Sequence, residues 1–452
     1  MTFLIIASLL FATSDTASAR QFNAWLDAYN SGERAVLLKF YQDNDPAAAA
    51  AIDREMMMRL NATGGYDLKK TEESTDARMV AVVKMRDLEQ YARVTIEVDA
   101  AEPHRITKLD VQMIPRPPEF PSVRMSEKDA IDALRKRLAA ESAAGRFSGA
   151  VLIARRGKAV FTGAYGLADR EKNIPNRLST RFRLGSMNKI FTAVATLQLA
   201  EAGKIDLEAA IGKYLTDYPN RDVATKVRVK DLLMHTGGTG DIFGPDFDAH
   251  RLDLRNLSDY VALYGKRGLE FEPGTRRSYS NYGYILLGVL IETVSGQSYD
   301  DYVRDHIWKP VGMTRTGGEP ENVPIAGRAV GYTQQGGKWR SAIDLLPYRG
   351  TSAGGGYSTV EDLLQFVNGL TSHKLLNADK LDLLINGKPY SYGAGGRDWD
   401  GVQYFGHNGG FPGMNTDMET SLQSHYTIIV LANIDPPAAQ RISEFIGSRL
   451  PD

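Results

Sequence analysis

A hydroxyl and an amine three residues apart, Ser186 and Lys189 in Leu184-Gly185-Ser186-Met187-Asn188-Lys189-Ile190-Phe191, are the pair in this sequence best suited to covalent chemistry. A serine alcohol is a weak nucleophile until a neighbouring base takes its proton, and a lysine can be that base once burial lowers its pKa. The apolar positions Ile190, Phe191, Ala193, Val194, Ala195, Leu197 and Leu199 predict a buried helix from about Ser186 to Glu201, ending before Gly203. Residues three apart share a helix face, so the Lys189 amine falls beside the Ser186 hydroxyl. The helix N-terminus adds partial positive charge where an oxyanion would form. Chance supplies roughly one S-x-x-K in a chain of this length, so the pair needs company.

Two further stretches provide it. Tyr279-Ser280-Asn281 lies between Pro273-Gly274 and an apolar helix beginning near Tyr284, a loop position from which side chains reach a cleft. A tyrosine hydroxyl near cations can shuttle a proton, and an asparagine amide can bind a substrate carbonyl. His407-Asn408-Gly409-Gly410 follows a short strand, and its glycines allow close backbone approach to a ligand. The rivals are weaker. Tyr218-Pro219-Asn220 is only 34 residues from Ser186 and lacks a following packed helix, while His235-Thr236-Gly237 reads as the end of a short helix.

The elements that must position these groups fall into three regions. Residues 1–19 read as a signal peptide: the apolar run from Phe3 to Ala12 is too short to span a bilayer and precedes the small-x-small triplet Ala17-Ser18-Ala19. This predicts a periplasmic or secreted protein with no membrane span after cleavage. Residues 20–120 read as a small α+β accessory domain closed by a proline-rich linker, Pro115 to Pro121. Helices are expected at Gln21–Tyr41 and Pro46–Leu60, and strands at Tyr66–Glu73, Arg78–Met85, Tyr91–Val98 and Ile106–Met113. Two helices against a meander suggest a cone-like or cystatin-like unit of the nuclear-transport-factor-2 kind. Glu102 and His104 are turn residues there.

Residues 121–452 form the main domain. A helix at Ser126–Ala144, a hairpin of Gly149–Arg155 with Lys158–Tyr165, and strands at Val402–Gly406, Asn415–Glu419 and Tyr426–Leu431 bracket a mostly helical excursion. A terminal helix follows at Pro437–Arg449. Strands at both ends predict one antiparallel sheet built from distant segments, flanked by helices and a helical subdomain, so the fold class is α+β.

Composition excludes several functions. With 452 residues, 43% apolar and 24% charged, the chain is a globular protein of two or three domains, and a net charge of −1 gives no reason to expect nucleic acid as a partner. Zero cysteines remove disulfides, thiolate metal sites and a cysteine nucleophile. The oligomeric state is not readable.

Taken together, Ser186-x-x-Lys189, Tyr279-x-Asn281 and His407-x-Gly409 occur in order, 93 and 128 residues apart. They are supported by Leu232-Leu233-Met234-His235-Thr236-Gly237-Gly238, Glu272-Pro273-Gly274 and Gly354-Gly355-Gly356-Tyr357-Ser358-Thr359. Residues 126 to 450 thus resemble the class C β-lactamase-related serine hydrolases, the group of D-alanyl-D-alanine carboxypeptidases, D-aminopeptidases and family VIII carboxylesterases. The resemblance implies a β-lactamase/transpeptidase-like fold, acylation of Ser186, and Lys189 keeping the site protonically poised. It implies Tyr279 as general base and then acid to the leaving group, Asn281 orienting substrate, and an oxyanion hole of the Ser186 and Gly410 N–H groups beside Gly409. It leaves open whether Lys189 or Tyr279 takes the serine proton. No metal or organic cofactor is implied. His407 stands where β-lactamases of this class carry lysine, and a histidine is mostly neutral at pH 7. The expected substrate is therefore a small ester, amide or D-amino-acid peptide. The alternatives are a penicillin-binding D-alanyl-D-alanine carboxypeptidase, a weak β-lactamase, or a non-catalytic binding protein on the same fold.

Overall fold

The computed structural model describes residues 15–49, 63–335 and 337–452. It divides into two compact units, residues 1–123 and 124–452.

In the first unit, α1 (Ala17–Asn30) and α2 (Arg34–Asn44) replace the single helix expected at 21–41. The break has a local cause: Gly32 takes a left-handed φ of 71°, the conformation that ends a helix and that glycine adopts without strain. Of the second expected helix, Pro46–Ala49 is helical and the rest lies outside the described residues. Strands β1 (Tyr66–Ser74), β2 (Arg78–Met85), β3 (Tyr91–Val98) and β4 (Ile106–Ile114) form an antiparallel meander in sequence order. Phe22, Trp25 and Tyr29 of α1 join the core made by the alternating positions Met79, Ala81 and Val83 of β2 and Ala92, Val94 and Ile96 of β3. His104 sits in a turn, 3.2 Å from Glu102. The triplet Ala17-Ser18-Ala19 forms the first turn of α1 and is buried, with the Ser18 hydroxyl donating to the Thr75 carbonyl at 2.5 Å. The apolar run from residue 3 to 12 lies outside the described residues.

The second unit opens with α3 (Glu127–Ala143), N-capped by Ser126, and the hairpin β5 (Gly149–Arg155) and β6 (Lys158–Tyr165). The helices α4 (Lys189–Glu201), α5 (Asn281–Ser295) and α6 (Val360–Thr371) come next. Then follow β7 (Gly395–Trp399), β8 (Val402–Phe411), β9 (Met414–Thr420), β10 (Tyr426–Ala432) and α7 (Ala438–Gly447). The sheet order is β7-β8-β9-β10-β5-β6, antiparallel throughout.

Both faces of this sheet are covered, which explains the unbroken apolar runs of β5 and β10. Val151, Ile153, Ile428 and Val430 point to the layer of α3 and α7, and Leu152, Ala154, Ile429 and Leu431 point to the layer of α4 and its neighbours. Strand β7 escaped the sequence reading because Gly395-Gly396-Arg397-Asp398-Trp399 has no apolar alternation. Its Arg397 is instead drawn inward by buried carboxylates. Strand β8 runs on through the glycines to Phe411, beyond the expected end at Gly406, because Asn408, Gly409 and Gly410 pair with Asp417, Thr416 and Asn415.

Candidate active site

Ser186 does not open an α-helix. It lies in a 3₁₀ turn, Gly185–Asn188, that leads into α4. Side chains at i and i+3 eclipse in a 3₁₀ turn, so the S-x-x-K spacing sets Lys189 beside Ser186 more directly than an α-helix would. The turn is gripped by backbone. Gly355 N donates to Gly185 O at 3.1 Å, Leu184 N to Gly356 O at 3.1 Å, and the Asn188 side chain to Thr351 O at 2.6 Å. On the sheet side, a Cβ on Gly409 would stand 2.0 Å from Leu184 O and 3.0 Å from Ser186 N. Only glycine allows β8 to approach so closely. Ser186 and Gly410 line the same pocket.

Lys189 is fully buried. Its Nζ lies 3.3 Å from Ser186 Oγ, 2.7 Å from Asn281 Oδ1, and in contact with the Ala353 carbonyl. Burial pulls its pKa down to about 7, against an upward pull from Asp241. A neutral amine has two N–H bonds. As an ammonium Lys189 donates to Asn281 Oδ1, Ala353 O and Ser186 Oγ; in the neutral form the first two, which only accept, keep both hydrogens and the lone pair faces Ser186 Oγ. Asp241 fixes that arrangement by accepting from Asn281 N at 2.9 Å and from Asn281 Nδ2 at 3.1 Å. Asn281 is thus buried with its amide oxygen engaged by Lys189. It also lines the pocket at Ser186.

Tyr279 stands on the loop before α5, whose N-cap is Ser280. The side chain is 44% exposed, but its hydroxyl is desolvated and hydrogen-bonded with Ser186. Burial pushes its pKa up to about 12, with the Ser186 bond pulling the other way. The ring is stacked on His235 at 4.5 Å, His235 is stacked in turn on Tyr284 at 4.9 Å, and the Lys189 Nζ lies 4.9 Å from the Tyr279 ring centre. His235 does turn the chain, at φ 59°, as the sequence reading held. That reading missed the platform under Tyr279. Ser280 N donates to His235 Nδ1, and burial followed by the Lys189 charge holds the imidazole neutral, with its pKa down at about 2.

His407 reaches the cleft from β8, and burial, with the nearby Lys189, depresses its pKa to about 4. Its Nδ1 lies 2.6 Å from Asn408 O, and because a carbonyl only accepts, Nδ1 carries the hydrogen. It is therefore an uncharged group beside Tyr279. Tyr218 and Asn220 are structural: Tyr218 bonds the Tyr282 hydroxyl at 3.0 Å, and Asn220 caps the helix Arg221–Lys226.

Tyr279 lines one hollow and Ser186 another. The larger, about 400 Å³, is lined by Tyr279, His235, His407, Arg277, Tyr390 and the Arg397-Asp417-Glu419 group. Arg397 lies 3.3 Å from Asp417 and 2.6 Å from Glu419, and burial, with Asp417 nearby, pushes Glu419 up to about 8. The smaller, about 90 Å³, is lined mostly by apolar groups, with Ile242, Phe243, Phe247, Tyr260, Phe411 and Met414 beside Ser186, and also by Asn281 and the Arg183–Glu321 ion pair. Phe243 stacks on Phe411 at 6.0 Å. Among the described residues no group of three or more His, Cys, Asp or Glu is arranged to hold a metal ion, and no helix is long and apolar enough to cross a membrane.

The sequence profile of the beta-lactamase family matches residues 131–449. The chain belongs to the beta-lactamase family. Within it, penicillin-binding protein 4* of Bacillus subtilis (strain 168) is 28% identical to this beta-lactamase-family chain over 319 residues, 64% of this chain and 68% of the relative. The crystal structure of a penicillin-binding protein from Bacillus halodurans superposes with a TM-score of 0.62 at 30% identity, covering 68% of this chain and 98% of that one. A D-stereospecific amidohydrolase from Streptomyces sp. gives 0.58 at 26% identity, covering 70% and 98%. This places the chain among the class C β-lactamase-related serine hydrolases.

Proposed function

We propose that residues 124–452 hydrolyse an ester, amide or D-amino-acid peptide bond through an acyl-enzyme on Ser186. The observation that carries this reading is the hydrogen-bond set of Lys189: two acceptor-only partners, and Ser186 Oγ at 3.3 Å, around a buried amine whose pKa is about 7. Neutral Lys189 takes the Ser186 proton as Oγ bonds to the substrate carbonyl carbon. The oxyanion is received by the N–H groups of Ser186 and Gly410. As the bond to the leaving group breaks, the Tyr279 hydroxyl gives that group its proton, and the Lys189 ammonium restores it. Water then attacks the acyl-enzyme with the same groups running in reverse, which frees Ser186 Oγ. Tyr279, raised to about 12, is protonated at neutral pH. It therefore suits the donor role, and the base role falls to Lys189.

The apolar pocket at Ser186 suits a small apolar acyl group, and similarity to a protein described as a D-stereospecific amidohydrolase supports amide or D-peptide substrates. Similarity to penicillin-binding proteins favours a second reading, a D-alanyl-D-alanine carboxypeptidase or weak β-lactamase. A fluorophosphonate probe is expected to label the wild type and spare Ser186→Ala; equal labelling of both rejects the acyl-enzyme. Faster turnover of a short-chain p-nitrophenyl ester than of a chromogenic cephalosporin favours the first reading, and the reverse order favours the second.

Export to the periplasm or medium is part of the proposal and rests on the apolar run Phe3 to Ala12. Expression of the full chain in a Gram-negative host is expected to yield a periplasmic or secreted product lacking that run. A cytoplasmic product that still begins at residue 1 would refute export.

A further inference from the structure

Asn281 is the first residue of α5, and its side-chain amide has two ends of nearly the same shape and opposite polarity. Which end meets Lys189 decides what the amine can do. With the carbonyl end inward, as observed, neutral Lys189 gives its two hydrogens to Asn281 Oδ1 and Ala353 O. With the NH2 end inward, the lone pair would accept from Asn281, and a hydrogen would turn to Ser186 Oγ. The amine would then be a donor to the serine and could not take its proton.

Asp241 makes the choice. A carboxylate only accepts, and Asp241 Oδ2 takes the NH2 end of Asn281 at 3.1 Å, while Oδ1 accepts from the backbone N–H groups of Asn281 and Ile242 at 2.9 and 2.8 Å. The loop that carries it is pinned in turn. Ser280 Oγ donates to Gly240 O at 2.5 Å, Arg267 to Asp241 O at 2.7 Å, and Tyr264 Oη to Ile242 O at 3.0 Å. The titratable groups that face Lys189 are Tyr279 and Tyr284, with ring centres 4.9 and 5.6 Å from Nζ and both held protonated by burial, and the neutral imidazoles of His235 and His407, on which the Arg277 charge also acts. Among the described residues Asp241 is the one anion acting on the amine.

We propose that Asp241 is a positioning residue of the hydrolytic reaction: it holds the NH2 end of Asn281 away from Lys189 and so directs the lone pair of the amine at Ser186. This role rests on the acyl-enzyme reading, with Lys189 as the base, and it belongs to a residue that touches neither the serine nor the substrate carbonyl. If direction is what matters, the carboxylate and the amide can trade places. In the double variant Asp241→Asn with Asn281→Asp, the amide at 241 donates to the carboxylate at 281, which again offers Lys189 nothing but an acceptor.

The test is the rate at which a fluorophosphonate labels Ser186 in the full chain, measured against pH, a reaction that needs an activated serine and no proton for the departing fluoride. The wild-type rate should climb through about pH 7. Asp241→Asn alone should slow the plateau rate on the order of 10²-fold, since the base is turned away from the serine. Its climb should move to lower pH, because a negative charge near the amine is gone. The double variant should recover at least about tenfold of the loss. Its climb should lie above that of the wild type, because the carboxylate now touches the amine. A merely structural Asp241 would change the melting temperature and leave the climb in place. Asp241→Asn within about threefold of wild type, a climb unmoved in the variants, or a double variant no faster than Asp241→Asn would each overturn the proposal. The double variant keeps every hydrogen bond, so its shifted climb decides the matter even where Asp241→Asn alone does not fold. A wild type whose Ser186 is unlabelled at every pH removes the acyl-enzyme reading and this role with it, whereas a labelled wild type with indifferent variants removes the role of Asp241 alone.

Discussion

Lys189→Ala is expected to lower kcat/KM by on the order of 10⁴ for any ester or amide the enzyme turns over. The size follows from its position. The amine lies 3.3 Å from Ser186 Oγ, and burial depresses His407 to about 4 and His235 to about 2, which leaves both imidazoles weaker bases than Lys189. Lys189→Arg should be no better, because a guanidinium does not release its proton at working pH. With a pKa near 7, the wild-type enzyme should gain activity as pH rises through about 7 and level off above it. The sign follows from the chemistry: the active form is the unprotonated amine, and burial disfavours the charged one. The same shift makes stability rise with pH between the folded pKa of about 7 and the unfolded value of about 10.5, where the unfolded chain holds the extra proton, and Lys189→Ala should flatten that slope. A pH–rate profile that is flat from roughly pH 5 to 9, or an alanine variant within tenfold of wild type, would show that Lys189 is not the base.

Tyr279→Phe is expected to separate substrates by how much help their leaving groups need. The phenyl ring keeps the His235 stack, so the fold and the cleft wall persist and only the hydroxyl bonded with Ser186 is lost. For amides and alkyl esters, whose leaving groups must be protonated, acylation should slow by about 10³-fold. For a p-nitrophenyl ester, whose leaving group departs as an anion, the loss should be about tenfold or less. Equal losses for both classes would argue that Tyr279 serves as the serine's base.

How much of this was legible in sequence depends on whether a residue acts through its neighbours in the chain or across the fold. Ser186, Lys189, Tyr279, Asn281, His407, Gly409 and Gly410 stood out because reactive groups lie beside helix starts and glycines at short, fixed spacings; Ser186, Asn281 and Gly410 line one hollow, Tyr279 and His407 the other, Lys189 bonds to Ser186 and Asn281, and Gly409 packs on Leu184. The β5–β6 hairpin was readable to the residue from its alternation around Arg156-Gly157. Asp241 was not, since it acts on Asn281, 40 residues away, from a loop without periodicity. Nor was the Ala353 carbonyl, because every residue type carries one. His235 was half-read: its turn is local, while its stacking under Tyr279 is tertiary.

The closing of β5 against β10 bears on when the serine becomes dangerous. Those strands are separated by more than half the chain, and Ser186, Asp241, Tyr279, Ala353 and His407 are dispersed between them. Contacts so remote form late, after a large entropic toll on loop closure. Until they form, Lys189 in an open chain remains an ordinary ammonium, and its neighbour an ordinary alcohol. On the proposed mechanism, a nascent or truncated polypeptide is expected to be chemically silent until translation has delivered the last strand.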